Sequence, residues 1–348
     1  VIILILVFVT IRDNFNLNKI ITELEKQTDL TITLNNESKW NYYPIIKFNN
    51  NITIKNNADF FKIDNADIDI AKKYWPTSPI NIDLIAPSIN VEGIQLRNAI
   101  IKSSYKNKNI SFEKISSDLI EGNINAQGKI NIENEMPFEI DGSFKNISLN
   151  VLMNQAKIAR WNRVKIKISS PNFYLSGTAK NNINFNKNLK GSVPINGSIF
   201  FASTEEERFG AALLSLLIDK LPGLSSISDS VSFLLAKFSN IPSSVHGTLT
   251  INEGLISTQD MLIENDQGRA SLTAILNIDT NIIDGKINFY ENDEIYLEAI
   301  LKGNIQNPQI LVGGKVFAEE NNGTPRDIKK LFEEGVHSLV DKLLKIDD

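Results

Sequence analysis

The chain has 348 residues and a formal net charge of -5, with its lysines and arginines scattered rather than clustered. That distribution gives no basic footprint, so a nucleic-acid partner is not expected. It contains no cysteine, which removes disulfide frameworks, thiol nucleophiles and cysteine zinc sites together, while 42% hydrophobic residues are enough for one large or two ordinary cores.

Residues 1–11, VIILILVFVTI, are apolar up to Arg12. A membrane span needs about 20 such residues, so residues 1–12 read as the C-terminal part of a transmembrane anchor. A signal-peptide core and a buried N-terminal strand are the competing readings. Leu17, Ile20, Ile21 and Leu24 then recur at helical spacing and predict a short amphipathic helix. From Thr31 to Ile115 the pattern is short strands with Asn-rich turns, including 45–48, 52–55, 80–85 and 89–91. One helix is expected over Ala66–Trp75, stopped by Pro76. Gly122, Gly128 and Gly142 punctuate three further alternating runs, and 148–154 predicts one or two helical turns. Strands resume over 164–199.

Residues 204–239 form a helical insertion by pattern. Ser203 or Thr204 can cap a first helix whose opening turn holds Glu205, Glu206 and Glu207, acids placed where the helix dipole favours them. Phe209, Leu213, Leu216 and Leu217 share its face, and Val231, Leu234, Leu235 and Phe238 share that of a second helix over Ser228–Ser239. Thr324-Pro325 opens a last amphipathic helix with an apolar stripe of Ile328, Leu331, Phe332, Leu339, Val340, Leu343 and Leu344.

Between Val245 and Gly314 several runs alternate apolar and polar residues, the signal of half-buried strands. Turns are expected at 252–254, 265–268 and Asp284-Gly285. Leu249, Ile251, Leu272, Ala274, Leu276, Ile287, Phe289, Leu297, Ala299 and Leu301 make one apolar row across these strands. Gly191–Ile199 resembles Gly247–Ile256 with one residue fewer, which suggests an internal repeat. The expected fold is mainly β with some α, a long antiparallel one-sided sheet with a groove-like face. Its regions are 13–163, 164–314 with the helical insertion, and a linker with the C-terminal helix over 315–348. A one-sided sheet must bury its apolar face against helices, another sheet or a ligand. The helices at 204–239 and 325–346 and the acyl chains of a lipid are both open as the cover.

Catalytic constellations are missing. The two histidines, His246 in a strand and His337 in the last helix, have no partner at metal-ligand spacing, and there is no P-loop, GxGxxG or GxSxG. No catalytic residue, metal or cofactor is assigned, and an enzyme is not expected.

An apolar N-terminal run leads into a short helix and the segment Trp40-Asn41-Tyr42-Tyr43-Pro44. Later come Gly247 to Gly254 (GTLTINEG), Thr258-Gln259-Asp260-Met261-Leu262, Gly268-Arg269-Ala270-Ser271-Leu272 and Leu301-Lys302-Gly303-Asn304-Ile305-Gln306-Asn307-Pro308. In order and spacing these segments resemble the AsmA family of Gram-negative envelope proteins, related to bridge-like lipid-transfer proteins. The resemblance implies a single-pass inner-membrane protein with its body in the periplasm. It also implies a role in outer-membrane assembly and, for the larger relatives, phospholipid transfer along an open sheet. Phospholipid, the inner membrane and envelope proteins are then the expected partners. The rival is a non-enzymatic interaction module acting in outer-membrane protein assembly or targeting.

Overall fold

The computed structural model describes residues 30–37, 39–41, 45–56, 61–73, 78–91, 93–132, 135–155, 164–178, 185–202, 225–305, 309–317, 324–327 and 330. The architecture is mainly β, an open antiparallel sheet with few helices. The chain divides into two compact units, Val1–Ile158 with Ser169–Val193, and Ala159–Ile168 with Pro194–Asp348. The expected membrane anchor, the helix over 204–221 and all but the start of the C-terminal helix lie outside the described residues.

In the first unit β1 (Leu30–Leu34) and β2 (Lys39–Asn41) share one edge of β3 (Ile45–Asn56). A meander follows through β4 (Phe61–Lys73), β5 (Ile80–Val91), β6 (Ile94–Lys106), β7 (Asn109–Leu119), β8 (Gly122–Asn131) and β9 (Pro137–Ser148). Its register lines up Phe48, Ile70, Ile82, Ser103, Phe112, Gly128 and Ile140 on one face. The adjacent row, Lys39, Asn49, Asp69, Asp83, Lys102 and Lys114, is on the other. Alternation of apolar and polar residues therefore becomes a one-sided sheet, because successive side chains of a strand point to opposite faces. The apolar side is closed at Ile82, Leu84 and Ile110, each only 1% exposed, and half-buried at Ile101, Ile115, Ile124 and Ile140. Asn50 is a polar residue of that side, as is Ser103, and its Nδ2 donates to the Asn36 carbonyl at 3.0 Å. After β9, α1 (Leu149–Gln155) occupies the expected 148–154 helical turns.

Several sequence expectations are corrected here. Ala66–Lys73 is strand, not helix, because Ile68 and Ile70 face the apolar side while Asp67 and Asp69 are on the opposite, polar side, a period of two rather than 3.6. The separate short runs at 45–48 and 52–55 are one strand, as are 80–85 and 89–91. The asparagines between the first pair are not a turn: Asn51 donates across to Asp67 Oδ1 at 2.8 Å. Gly128 and Gly142 lie inside strands rather than between them. A Cβ on Gly142 would come within 2.3 Å of the Asn125 carbonyl and 2.8 Å of Phe173 Cζ, so close approach explains this glycine.

The chain passes through β10 (Val164–Thr178), the short α2 (Phe185–Asn188) and β11 (Lys190–Phe201), strands divided between both units. In the second unit α3 (Ser225–Phe238) precedes the meander β12 (Ser243–Asn252), β13 (Leu255–Glu264), β14 (Arg269–Asn277), β15 (Ile282–Glu291), β16 (Glu294–Asn304) and β17 (Gln309–Gly313). A 3-10 turn at Lys315–Phe317 and the two-residue β18 (Arg326–Asp327) complete it. α3 answers the helix expected at 228–239. Asp284-Gly285 is not a turn but the middle of β15. The chain reverses earlier, where Asn277 Oδ1 accepts the backbone N–H of both Asp279 and Thr280 at 3.0 Å. The suggested repeat is not structural either, since Asn196-Gly197 continues as strand whereas Glu253-Gly254 turns.

Candidate functional site

The ten residues of the predicted apolar row lie on one side of the second unit. Cross-strand pairing joins Ile251, Ile256, Leu276 and Ile283 in one line. Ala274, Gly285 and Leu301 form the next, then Met261, Leu272, Ile287, Ala299 and Val312, then Phe289 and Leu297 with Ala270 and Ile263. Leu249 keeps the parity of Val245 and Ile251 along β12. From β12 to β17 these lines hold no charged side chain, and the one through Val312 ends on Arg326 of β18. From Phe289 to Ile283 the face is ~20 Å long, and from β12 to β17 it is ~24 Å wide, at the usual strand rise and spacing.

Met261, Ile256 and Thr258 belong to the same side, although the 255–264 run alternates poorly. A bulge between Thr258 and Met261 inserts one residue and reverses the parity of β13, so a strict period-two count loses them. The bulge is held by Asp260, whose Oδ1 accepts the Thr248 N–H at 2.8 Å and the Thr258 hydroxyl at 3.3 Å. The Thr248 N–H holds the Asp260 carboxyl below the usual carboxylate range. His246 is on the polar side, exposed, with Nδ1 3.1 Å from Asn196 Oδ1.

α3 closes one end of this face. Its Phe238 meets Phe289 edge-on at 5.4 Å and its Phe233 meets Tyr296 at 4.6 Å. Tyr296 sits at the irregularity where Phe289 pairs with Leu297 but Tyr290 pairs with Ile295, which lets it reach the helix. Burial raises its phenol pKa, helped by the negative charges of Asp229 and Glu291. Leu234, Leu297, Val312 and Phe317 pack in the same cluster, and Asn265 Nδ2 donates to the Lys237 carbonyl at 3.0 Å, tying down the helix end. The other end is different. Ile251, Ile256, Leu276, Ile283 and Leu301 are only half-buried, as are Leu272, Ala274, Ile287 and Ala299 between.

No family model, curated protein or solved structure matches the chain.

The polar side of the second unit carries an aliphatic group of its own. Leu255 and Ile282 flank Asn277 in the pairing, with Ile275 two residues along β14, and these three are 39%, 52% and 48% exposed. In the first unit a shallow polar cavity of about 410 Å³ is lined by Glu37, Asn49, Asn51, Asp67, Asp69 and Asp83 among others. Asp69 and Asp83 are direct cross-strand neighbours, but Lys102 pairs with Asp83 from the next strand and Lys39 lines the same cavity. Among the described residues no group of three acids or histidines is arranged to hold a metal ion.

Proposed function

We propose that this is an AsmA-like envelope protein, anchored in the bacterial inner membrane with its body in the periplasm. In this reading it supports outer-membrane biogenesis by binding or transferring phospholipid on the apolar face of the second unit. One observation carries it: the face from Ile251 to Leu301 is uncharged and half-exposed, with α3 occupying only the Phe289 end. The paired backbone groups of β13–β16 are used within the sheet and the buried Thr258 hydroxyl donates to Asp260, so the face has little to offer a polar occupant. A hydrocarbon chain needs none. One leaflet of a bilayer contributes half of its ~30 Å hydrocarbon core, a length that the ~20 Å face can shelter. Each sheltered methylene contributes ~0.8 kcal/mol before ordering costs. In the first unit β3–β5 are a poorer host, because their apolar side is closed, to the 1% level at Ile82 and Leu84.

The test is native mass spectrometry of the purified full chain, with photo-crosslinking to a diazirine-bearing phosphatidylethanolamine. Bound phospholipid with crosslinks mapping to β13–β16 is expected. A chain that carries no lipid and crosslinks none would refute the reading. The exposed Leu255, Ile275 and Ile282 favour a second reading, a docking surface for an envelope protein. A stable protein complex lost on Ile275→Asp, with no bound lipid, is its signature.

A further inference from the structure

The two ends of the apolar face in the second unit are chemically unlike. α3 fills the Phe289 end through Phe233, Leu234 and Phe238. At the opposite end the last apolar line, Ile251, Ile256, Leu276 and Ile283, runs out into the turns after β12, β14 and β16. Those turns are joined into one rim: the Ile278 N–H donates to the Gly254 carbonyl and the Ile305 N–H to the Asn281 carbonyl, each at 2.9 Å. Among the described residues of the rim the charged side chains are Glu253 and Asp279, both exposed carboxylates, ~10 Å apart at two strand spacings. Gln306, Asn307 and Pro308, which follow in the sequence before β17, carry no charge. The nearest charges within the strands, Asp284 and Lys302, are direct cross-strand partners of opposite sign on the other side of the sheet. At the α3 end, by contrast, cations are present and paired, Arg269 with Asp293 at 2.8 Å and Lys315 with Glu294.

We propose that a phospholipid enters this face from its open end, acyl chain toward α3 and headgroup at the rim of Glu253 and Asp279, and that the rim selects a zwitterionic headgroup bearing a free ammonium over an anionic one. The inference rests on the lipid reading above and names the lipid class for the same face. Direction follows from occupancy, since the aromatic side chains at the Phe289 end leave hydrocarbon one way in along the strands. Class follows from charge. A primary ammonium at the rim stands within about a Debye length (~8 Å) of both carboxylates. The net negative charge of phosphatidylglycerol meets only like charge there and no described cation. The two carboxylates act across water, so the preference is modest, ~3-fold at physiological salt.

The test uses the full chain with phosphatidylethanolamine and phosphatidylglycerol of identical acyl chains in uncharged detergent micelles, each lipid carrying a diazirine either at the acyl terminus or beside the glycerol. Acyl-terminal probes should crosslink near Phe289 and Leu297, and glycerol-side probes near Ile251 and Ile283. Phosphatidylethanolamine should crosslink ~3-fold more than phosphatidylglycerol at ~0.15 M salt and nearly equally at ~1 M, where the Debye length falls to ~3 Å. Glu253→Lys with Asp279→Lys should invert the preference. Lysine fits the positive φ of Glu253 (52°), as Lys108 occupies a turn at 63°. Asp279 gives the turn its backbone N–H, which the substitution keeps. Glu113→Lys with Asp141→Lys makes the same change in net charge at exposed positions of the first unit and should leave the preference as it is. Equal yields of the two lipids in the parent chain, or a preference shifted alike by both pairs of substitutions, overturn the headgroup assignment and leave the lipid reading standing. Probes that map the other way round overturn the direction. A parent chain that crosslinks neither lipid overturns the lipid reading itself, and the headgroup assignment with it.

Discussion

Leu276→Asp separates binding from folding better than any other change on the apolar face, because Leu276 lies in its open half. Fully burying a leucine contributes ~1.5–3 kcal/mol, and Leu276 is only half-buried, so its loss should cost the fold ~1 kcal/mol. A carboxylate beneath an acyl chain has no partner, since Ile256 and Ile283 are its cross-strand neighbours. Desolvating such a charge costs several kcal/mol, and a penalty of ~3 kcal/mol already weakens binding about 100-fold. Binding should therefore collapse while the protein stays folded. Asn277→Asp is the control. It faces the other side, and its Oδ1 can go on accepting from Asp279 and Thr280. The assay is photo-crosslinking to phosphatidylethanolamine at matched protein concentration, with the urea midpoint of each variant measured alongside. Leu297, 2% exposed, cannot serve in its place because a charge there would unfold the unit before binding was tested. If folded Leu276→Asp crosslinks lipid as well as the parent does, the face is not the lipid site.

Two further outcomes follow from the geometry. The carboxyl of Asp260 is lowered from its ordinary 3.8, first by the Thr248 N–H, so its contribution to stability is present above that pH and is lost as pH falls through the still lower folded value. Asp260→Asn should flatten the acid end of the urea-midpoint profile, and an unchanged acid limb would remove Asp260 from the bulge's support. Gly142→Ala places a methyl 2.3 Å from the Asn125 carbonyl and 2.8 Å from Phe173 Cζ. A loss of ~1–3 kcal/mol in unfolding free energy is expected from such overpacking, whereas a variant as stable as the parent would mean that β8 and β9 sit further apart than described.

Period-two alternation was legible along β14, but not over Ala66–Lys73, an equally regular strand for which the spacing predicts a helix. Leu272, Ala274 and Leu276 could be placed on one side of β14 from the sequence, and so could Ile287 and Phe289, because each residue's side follows from parity alone. The helix at 225–238 was legible through its 3.6-residue spacing, and the one at 149–155 as a short helical turn. Parity failed where one residue was inserted. Met261 and Thr258 are on the apolar side only because β13 bulges between them, and that bulge depends on Asp260 reaching Thr248 in the neighbouring strand. Punctuation failed too. Gly128, Gly142 and Gly285 look like turn residues, yet each fills a strand position. For Gly142 the cause is the Asn125 carbonyl in the neighbouring strand β8 and the Phe173 ring, which no turn signal in the sequence indicates.

What the sequence by itself determined was the class of the fold and the composition of each strand's two sides, since both follow from local periodicity. Which apolar side is closed and which is open was decided by tertiary structure. Ile82 and Leu276 occupy similar alternating runs, but one is 1% exposed and the other half-buried. The difference comes from what the fold brings over each side chain, and residues distant in the chain supply it. α3 meets Phe289 and Tyr296 through contacts between residues more than fifty positions apart, and no spacing rule reaches that far.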